Sequence, residues 1–158
     1  MSPKVTPVPK GYEAPTPYLI IRGAAKAIDF YTKAFGAKET GRFPGPDGKI
    51  GHADLIIGGG HIMLADESPE MGHKSPDALG ATPVSLVIYV DNADDVVKKA
   101  VAAGGKLTRP VEDQFYGDRA GEVRDPFGHV WHVMTHIEDV SEQEMMKRMA
   151  AKMPAVSA

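Results

Sequence analysis

The chain contains no cysteine, which excludes disulfides, thiolate metal ligands and a cysteine nucleophile. It has a single tryptophan, Trp131. Charge of neither sign dominates, since 18 basic residues stand against 21 acidic ones for a net charge of −3. That scatter leaves no electrostatic footprint for nucleic acid and no basic face for a membrane surface. No apolar run approaches the ~18 residues needed to span a bilayer. The proline-rich start lacks the apolar stretch of a signal peptide, so a cytoplasmic protein is expected. What is present suffices for a folded domain. Hydrophobic residues make up 42% and charged residues 25% of the 158 positions, a composition that supports a globular core.

Taken in order, the chain begins with an arm. Pro3, Pro7, Pro9 and Pro15 interrupt any periodicity, so positions 1–15 are expected to be extended. Positions 18–21 are rich in strand formers. From Ala24 the period changes: Ala24, Ala27, Ile28, Tyr31, Ala34 and Phe35 share one helical face, with Gly36 placed to end the helix. Strands are expected over 37–43, 50–57 and 61–66, separated by Pro46-Asp47-Gly48 and by Gly58-Gly59-Gly60. The triple glycine is a hairpin turn rather than a phosphate loop, because no Lys-Ser/Thr follows it and it opens no helix. Positions 67–83 read as a connection. The same order then restarts with a strand at 84–90, a helix from Ala93 capped by Asp91-Asn92, and strands at 106–111 and 119–124. Asp125-Pro126-Phe127-Gly128 forms a tight turn. The strand after it alternates, with Val130, His132 and Met134 on one face and Trp131 and Val133 on the other.

The two halves superpose. Gly36 matches Gly104 at a shift of 68 (104 − 36), and the same shift pairs Lys38 with Lys106, Thr40 with Thr108 and His61 with His129, with no gap needed. Two β-α-β-β-β units that each fail to bury a sheet alone imply side-by-side modules. The expected fold class is α+β: two tandem modules, 16–67 and 84–136, forming a curved mixed sheet around a cleft. A helix over 139–153 follows, with Ser141 and Glu144 as a capping box, Val140 and Met145 as a staple, and Met145, Met146, Met149 and Met153 as its apolar stripe. Docking on its own domain or on a second subunit is the expected use of that stripe.

The repeat, the segments Ala27-Ile28-Asp29-Phe30-Tyr31 and Phe35-Gly36-Ala37, and the turn Asp125 to His129 together resemble the vicinal oxygen chelate superfamily. This group includes glyoxalase I, bleomycin-resistance proteins, fosfomycin-resistance enzymes and extradiol dioxygenases. Its PhnB-like branch is the nearer match, through Gly51-His52-Ala53-Asp54-Leu55, Met63 to Glu67 and Asp113 to Arg119. The resemblance spans 16–136. It implies a small-molecule cleft, commonly built across a homodimer, and in many members a divalent metal held by four ligands from the first and last strands of both modules. Carried over by position, those sites are Thr16 (or Pro17), Leu64, Ser85 and His132. Only His132 is a good ligand, whereas a catalytic zinc wants three, so classical glyoxalase I activity is disfavoured.

His132 is thus the candidate catalytic group, with Thr16, His52, Ser85, Tyr116 and Arg119 as candidate ligand contacts. An imidazole suits proton transfer near neutral pH. Tyr116 offers a stacking face and Arg119 a bidentate clamp for a carboxylate or phosphonate, unless it is tied to Asp118. Ser85 lacks any strand-turn-helix elbow and is no nucleophile. His61 and His129, each after a turn glycine, are expected to cap their turns. The expected function is small-molecule binding without the usual metal site. The alternatives are a metal-dependent lyase or dioxygenase with a shifted site around His132, drawing on His52 and Asp66, and a dimerising structural module.

Overall fold

A computed structural model describes residues 5–152. The first unit comprises β1 (Tyr18–Ile21), α1 (Ala24–Phe35), β2 (Lys38–Pro44), β3 (Ile50–Ile57) and β4 (Gly60–Asp66). A short helix, α2 (Pro76–Leu79), lies in the connection. The second unit comprises β5 (Ser85–Tyr89), α3 (Ala93–Ala102), β6 (Lys106–Asp113), β7 (Asp118–Arg124) and β8 (Val130–His136), followed by α4 (Glu142–Lys152). Each unit forms a four-stranded mixed sheet, ordered β1-β4-β3-β2 and β5-β8-β7-β6. First and last strands run parallel and the other neighbours antiparallel. This is the α+β duplication expected from the repeat.

Each helix seals one face of its own sheet. α1 buries Ala24, Ala27, Ile28, Tyr31 and Ala34, and Gly36 ends it with φ 66, donating its N–H to the Thr32 carbonyl. Only glycine adopts that left-handed conformation without strain. α3 buries Ala93, Val97 and Ala100, and the Asn92 side chain caps it by accepting from the Asp95 amide at 3.0 Å. α1 and α3 also pack against each other, so both units share one core. The opposite face of each sheet stays open.

The uniform shift of 68 needs correction. Tyr18 pairs with Met63, and Val87 with His132; these matching pairs lie 69 apart (87 − 18 and 132 − 63). Asp66 accepts from the amides of Gly23 and Ala24 at the start of α1, and Thr135 accepts from Ala93 at the start of α3, again 69 apart. The middle strands keep 68, because Thr40 and Thr108 donate to the carbonyls of Asp54 and Glu122. The physical reason is one residue of loop: four residues separate the paired Ile56 and His61, and five separate Arg124 and Val130. A one-residue slip exchanges the faces of a strand. Leu64 is therefore core, with no exposed surface, and Met63 is the true counterpart of His132.

The units are joined through Asp125, which is 3% exposed. Its carboxylate accepts from the amides of Phe127 and His129 (both 2.9 Å), the Tyr31 hydroxyl (2.7 Å) and the Trp131 indole N–H (3.0 Å). Trp131 is wholly buried, its ring 4.6 Å from that of Phe35 on α1. Burial, and then the adjacent Asp125 carboxylate, push the Tyr31 phenol well above its ordinary pKa, so it stays a donor. Asp125, not His129, caps the turn. The His129 ring instead reaches the carbonyl of Ile20 in the first unit, at 3.2 Å.

α4 is capped as expected by Ser141, whose hydroxyl accepts from the Glu144 amide at 3.2 Å. The Glu144 carboxylate does not complete a capping box, because it pairs with Arg148. Arg148 also forks onto Glu138 with two bonds of 2.8 Å. Met145 is half-buried, Met146 and Met149 are exposed, and Met153 lies outside the described residues.

Replacing Asp125 by Ala strands three buried donors and one part-buried amide, and is expected to cost about 3–5 kcal/mol of stability. Tyr31→Phe, which removes one donor, is expected to cost about 1–3 kcal/mol. Urea unfolding measures both; an Asp125→Ala protein as stable as the parent would refute this account of the joint.

Candidate functional site

The pleat of β8 sends Trp131 and Val133 into the core and His132 and Met134 to the open face of the second sheet. The ladder sets Glu122 directly opposite His132 and Ala120 opposite Met134. On the other side of β8, β5 contributes Ser85. His132 Nε2 lies 3.1 Å from Ser85 Oγ, and its Nδ1 lies 3.6 Å from Glu122 Oε2. Glu122 also accepts from the Thr108 hydroxyl at 2.7 Å and lies 3.6 Å from the Arg109 guanidinium. A register irregularity between Leu107 and Arg109 aims Arg109 at this face, a common use of a bulge. Next to these groups lies a cavity of about 300 Å³, bordered by His132, Glu122, Arg109, Gln114, Tyr116 and Met134.

The arrangement is a half-buried imidazole between a carboxylate and a hydroxyl. A protonated Nδ1 facing Glu122 leaves Nε2 as an acceptor, and Ser85 or a ligand hydroxyl can donate to it. Arg109 beside the carboxylate adds a cation for an anionic ligand group.

Three of the six candidate residues, His132, Ser85 and Tyr116, meet on this face. Thr16 borders a different cavity of about 390 Å³, between the arm, the β3–β4 hairpin and the second unit, with His61, Leu86, Val87 and Trp131. His52 lies on the open face of the first sheet. Arg119 is a correction: it turns to the helix side, forks onto Asp94 of α3 at 2.6 and 2.9 Å, and bonds Asp113 at 2.8 Å. These two carboxylates hold its guanidinium, and neither is Asp118. Asp66 is spent as well, on the amides of Gly23, Ala24 and Ile50, so His52, Asp66 and His132 form no metal set. Glu122 and Arg109 escaped sequence reasoning. A signal for Glu122 existed, because closing the hairpin on the turn at Asp125 sets it opposite His132.

The first sheet carries a second polar chain. The Tyr18 hydroxyl lies 2.8 Å from His52 Nδ1, His52 Nε2 lies 3.0 Å from Asp54 Oδ2, and the Tyr12 hydroxyl donates to Asp54 Oδ1 at 3.1 Å. Tyr12 belongs to the arm and stacks on His61 with centroids 4.1 Å apart. His61 therefore supports the arm rather than capping its turn.

A model of the Glyoxalase/Bleomycin resistance protein/Dioxygenase superfamily matches residues 16–133. The uncharacterized protein Mb0911c of Mycobacterium bovis is 45% identical over 140 residues, covering 87% of this chain and 92% of its own. TioX from Micromonospora sp. ML1 superposes with a TM-score of 0.61 at 27% identity, covering 82% of this chain and all of its own. FosX, a fosfomycin resistance protein of Listeria monocytogenes solved with Mn(II) and a dihydroxypropylphosphonic acid, shares the fold at 17% identity. Its TM-score is 0.59, over 85% of this chain and 94% of its own. With the register corrected, the positions at which such a fold would hold a metal are Thr16, Met63, Ser85 and His132. One imidazole, two hydroxyls and a thioether do not make the nitrogen and carboxylate set that a divalent transition metal requires.

Beyond Tyr116, the open face ends in a second hollow bordered by Tyr89, Asp118, His136 and the residues leading into α4. His136 lies between Asp139 (2.9 Å from Nε2) and Asp118 (2.8 Å from Nδ1). Bonds to Asp139 and then Asp118 raise its pKa above the ordinary value of 6.5. Its stabilising contribution is therefore full below pH 6.5 and is lost as pH rises through the higher folded-state value. His136→Gln is expected to flatten this fall. Urea midpoints measured across neutral pH test it, and parallel profiles for parent and variant would rule it out.

Proposed function

Since the chain belongs to the Glyoxalase/Bleomycin resistance protein/Dioxygenase superfamily, we propose that it binds a small organic molecule on the open face of its second sheet, without the family's usual metal site. The observation that carries this reading is the His132–Glu122 pair beside a cavity of about 300 Å³, at the lower edge of ordinary ligand-pocket sizes. His132 is the central polar contact, Ser85 and Glu122 fix its orientation, Arg109 favours an anionic group, and Tyr116 supplies a ring face. FosX, with its phosphonate ligand, sets a precedent in this fold for an anionic small molecule.

We also propose that two chains pair over the open faces of their second sheets. Val87 and Tyr89 on the second sheet are each more than half exposed, and a second copy covering them would close the cavity. Sedimentation equilibrium is expected to give twice the chain mass, and a purely monomeric protein at micromolar concentration would remove this part.

Ligand screening by thermal shift, followed by titration, tests the binding site. Ligands of the parent are expected to bind His132→Gln up to about tenfold more weakly, as loss of one hydrogen bond implies. Undiminished affinity would move the site elsewhere. The metal part is tested separately, by calorimetric titration of chelator-free protein with Mn²⁺ and Zn²⁺. Stoichiometric binding that His132→Gln abolishes would favour a metal-dependent lyase or dioxygenase and overturn the metal-free reading.

A further inference from the structure

We propose that Tyr18, His52 and Asp54 form an acid–base relay on the first sheet that binds a hydroxylated aromatic molecule and takes up its proton. The hydrogen bonds define the direction of the relay. Asp54 is an acceptor for both of its partners, the Tyr12 hydroxyl and His52 Nε2. Nε2 therefore carries the proton of neutral His52, and Nδ1 is left as the acceptor for the Tyr18 hydroxyl at 2.8 Å. With its own proton directed at His52, the Tyr18 oxygen offers only lone pairs to the outside. A ligand must then supply a donor, such as a hydroxyl.

The surroundings select a ring to carry that hydroxyl. Tyr18 is 48% and Phe43 62% exposed, and their ring centroids lie 5.5 and 6.1 Å from that of His52. Two exposed aromatic faces beside one imidazole suit a flat apolar body. The proton inventory closes within the site. The ligand O–H bond breaks as a bond forms to Tyr18 Oη, the Tyr18 proton passes to His52 Nδ1, and Asp54 stabilises the imidazolium through Nε2–H. The ligand is then an aryl oxide that accepts a hydrogen bond from a neutral Tyr18.

The duplicated fold provides an internal control. Tyr18 corresponds to Val87 at the shift of 69 set by the ladder, and His52 to Ala120 at the shift of 68 kept by the middle strands. The second unit builds the same sheet with neither a phenol nor an imidazole there, so the fold does not require the chain. The arm holds the relay from above, since the Tyr12 hydroxyl occupies the second oxygen of Asp54.

The probe is para-nitrophenol, whose anion is read directly by its visible absorbance. Equilibrium dialysis with the full-length protein is expected to show saturable uptake, and absorbance titration a bound-state pKa lowered by about one unit, a roughly tenfold preference for the anion. Tyr18→Phe and His52→Gln are each expected to abolish the shift while circular dichroism and thermal unfolding show folded protein. His132→Gln is expected to leave it unchanged, which separates this site from the one on the second sheet. No saturable uptake, a shift that survives in folded Tyr18→Phe, or a shift lost in His132→Gln would each overturn the proposal.

Discussion

The Asp125 carboxylate is the constraint on which the joint between the two units rests. A buried charge is tolerated only when its lone pairs are satisfied. Here the donors come from its own turn, from β8 through Trp131, and from α1 of the other unit through Tyr31. One side chain thus fixes the hairpin, the tryptophan rotamer and the approach of α1. The turn glycine belongs to the same design, because Gly128 has φ 90 and a Cβ there would stand 2.8 Å from Cβ of Pro76.

That joint settles which sheet faces are committed. Trp131 and Val133 must face the helices, and the period of two in a strand then sends His132 and Met134 outward. The candidate site is thus a consequence of packing on the other side of the same strand. The pairing of β7 with β8 brings Glu122 to His132, and the parallel pairing of β5 brings Ser85. His132, Glu122, Ser85 and Arg109 are positioned by ladders rather than by a flexible loop, and Gln114 and Tyr116 come from the connection between β6 and β7.

Much of this was legible in the sequence. Helical and strand periods, the turn residues and the repeat located both units, and alternation around Trp131 assigned His132 to the open face. The face of β4 was misread because a repeat shift cannot reveal one extra residue in a loop, and a slip of one turned Leu64 outward on paper. Arg119 was read without its partners: Asp113 faces it across the β6–β7 hairpin, and Asp94 is brought to it only by the packing of α3. The Tyr12–Asp54–His52–Tyr18 chain was invisible because the arm shows no periodicity, so nothing local indicated that it folds back onto β3 and β4.

Comparison of the two units separates what the fold needs from what it permits. Asp54 and Glu122 occupy matching positions on the third strands, and Thr40 and Thr108 donate to their carbonyls alike. Each carboxylate also faces an imidazole, yet the imidazoles differ in origin: His52 from the same strand as Asp54, His132 from the strand next to Glu122. The core positions opposite them, Ala53 and Leu55 against Val123, Trp131 and Val133, are wholly buried, and there the shape of the shared core restricts substitution. The open faces carry no such restriction. The acid–imidazole pair thus arises by two different routes, on faces where packing within the chain demands neither.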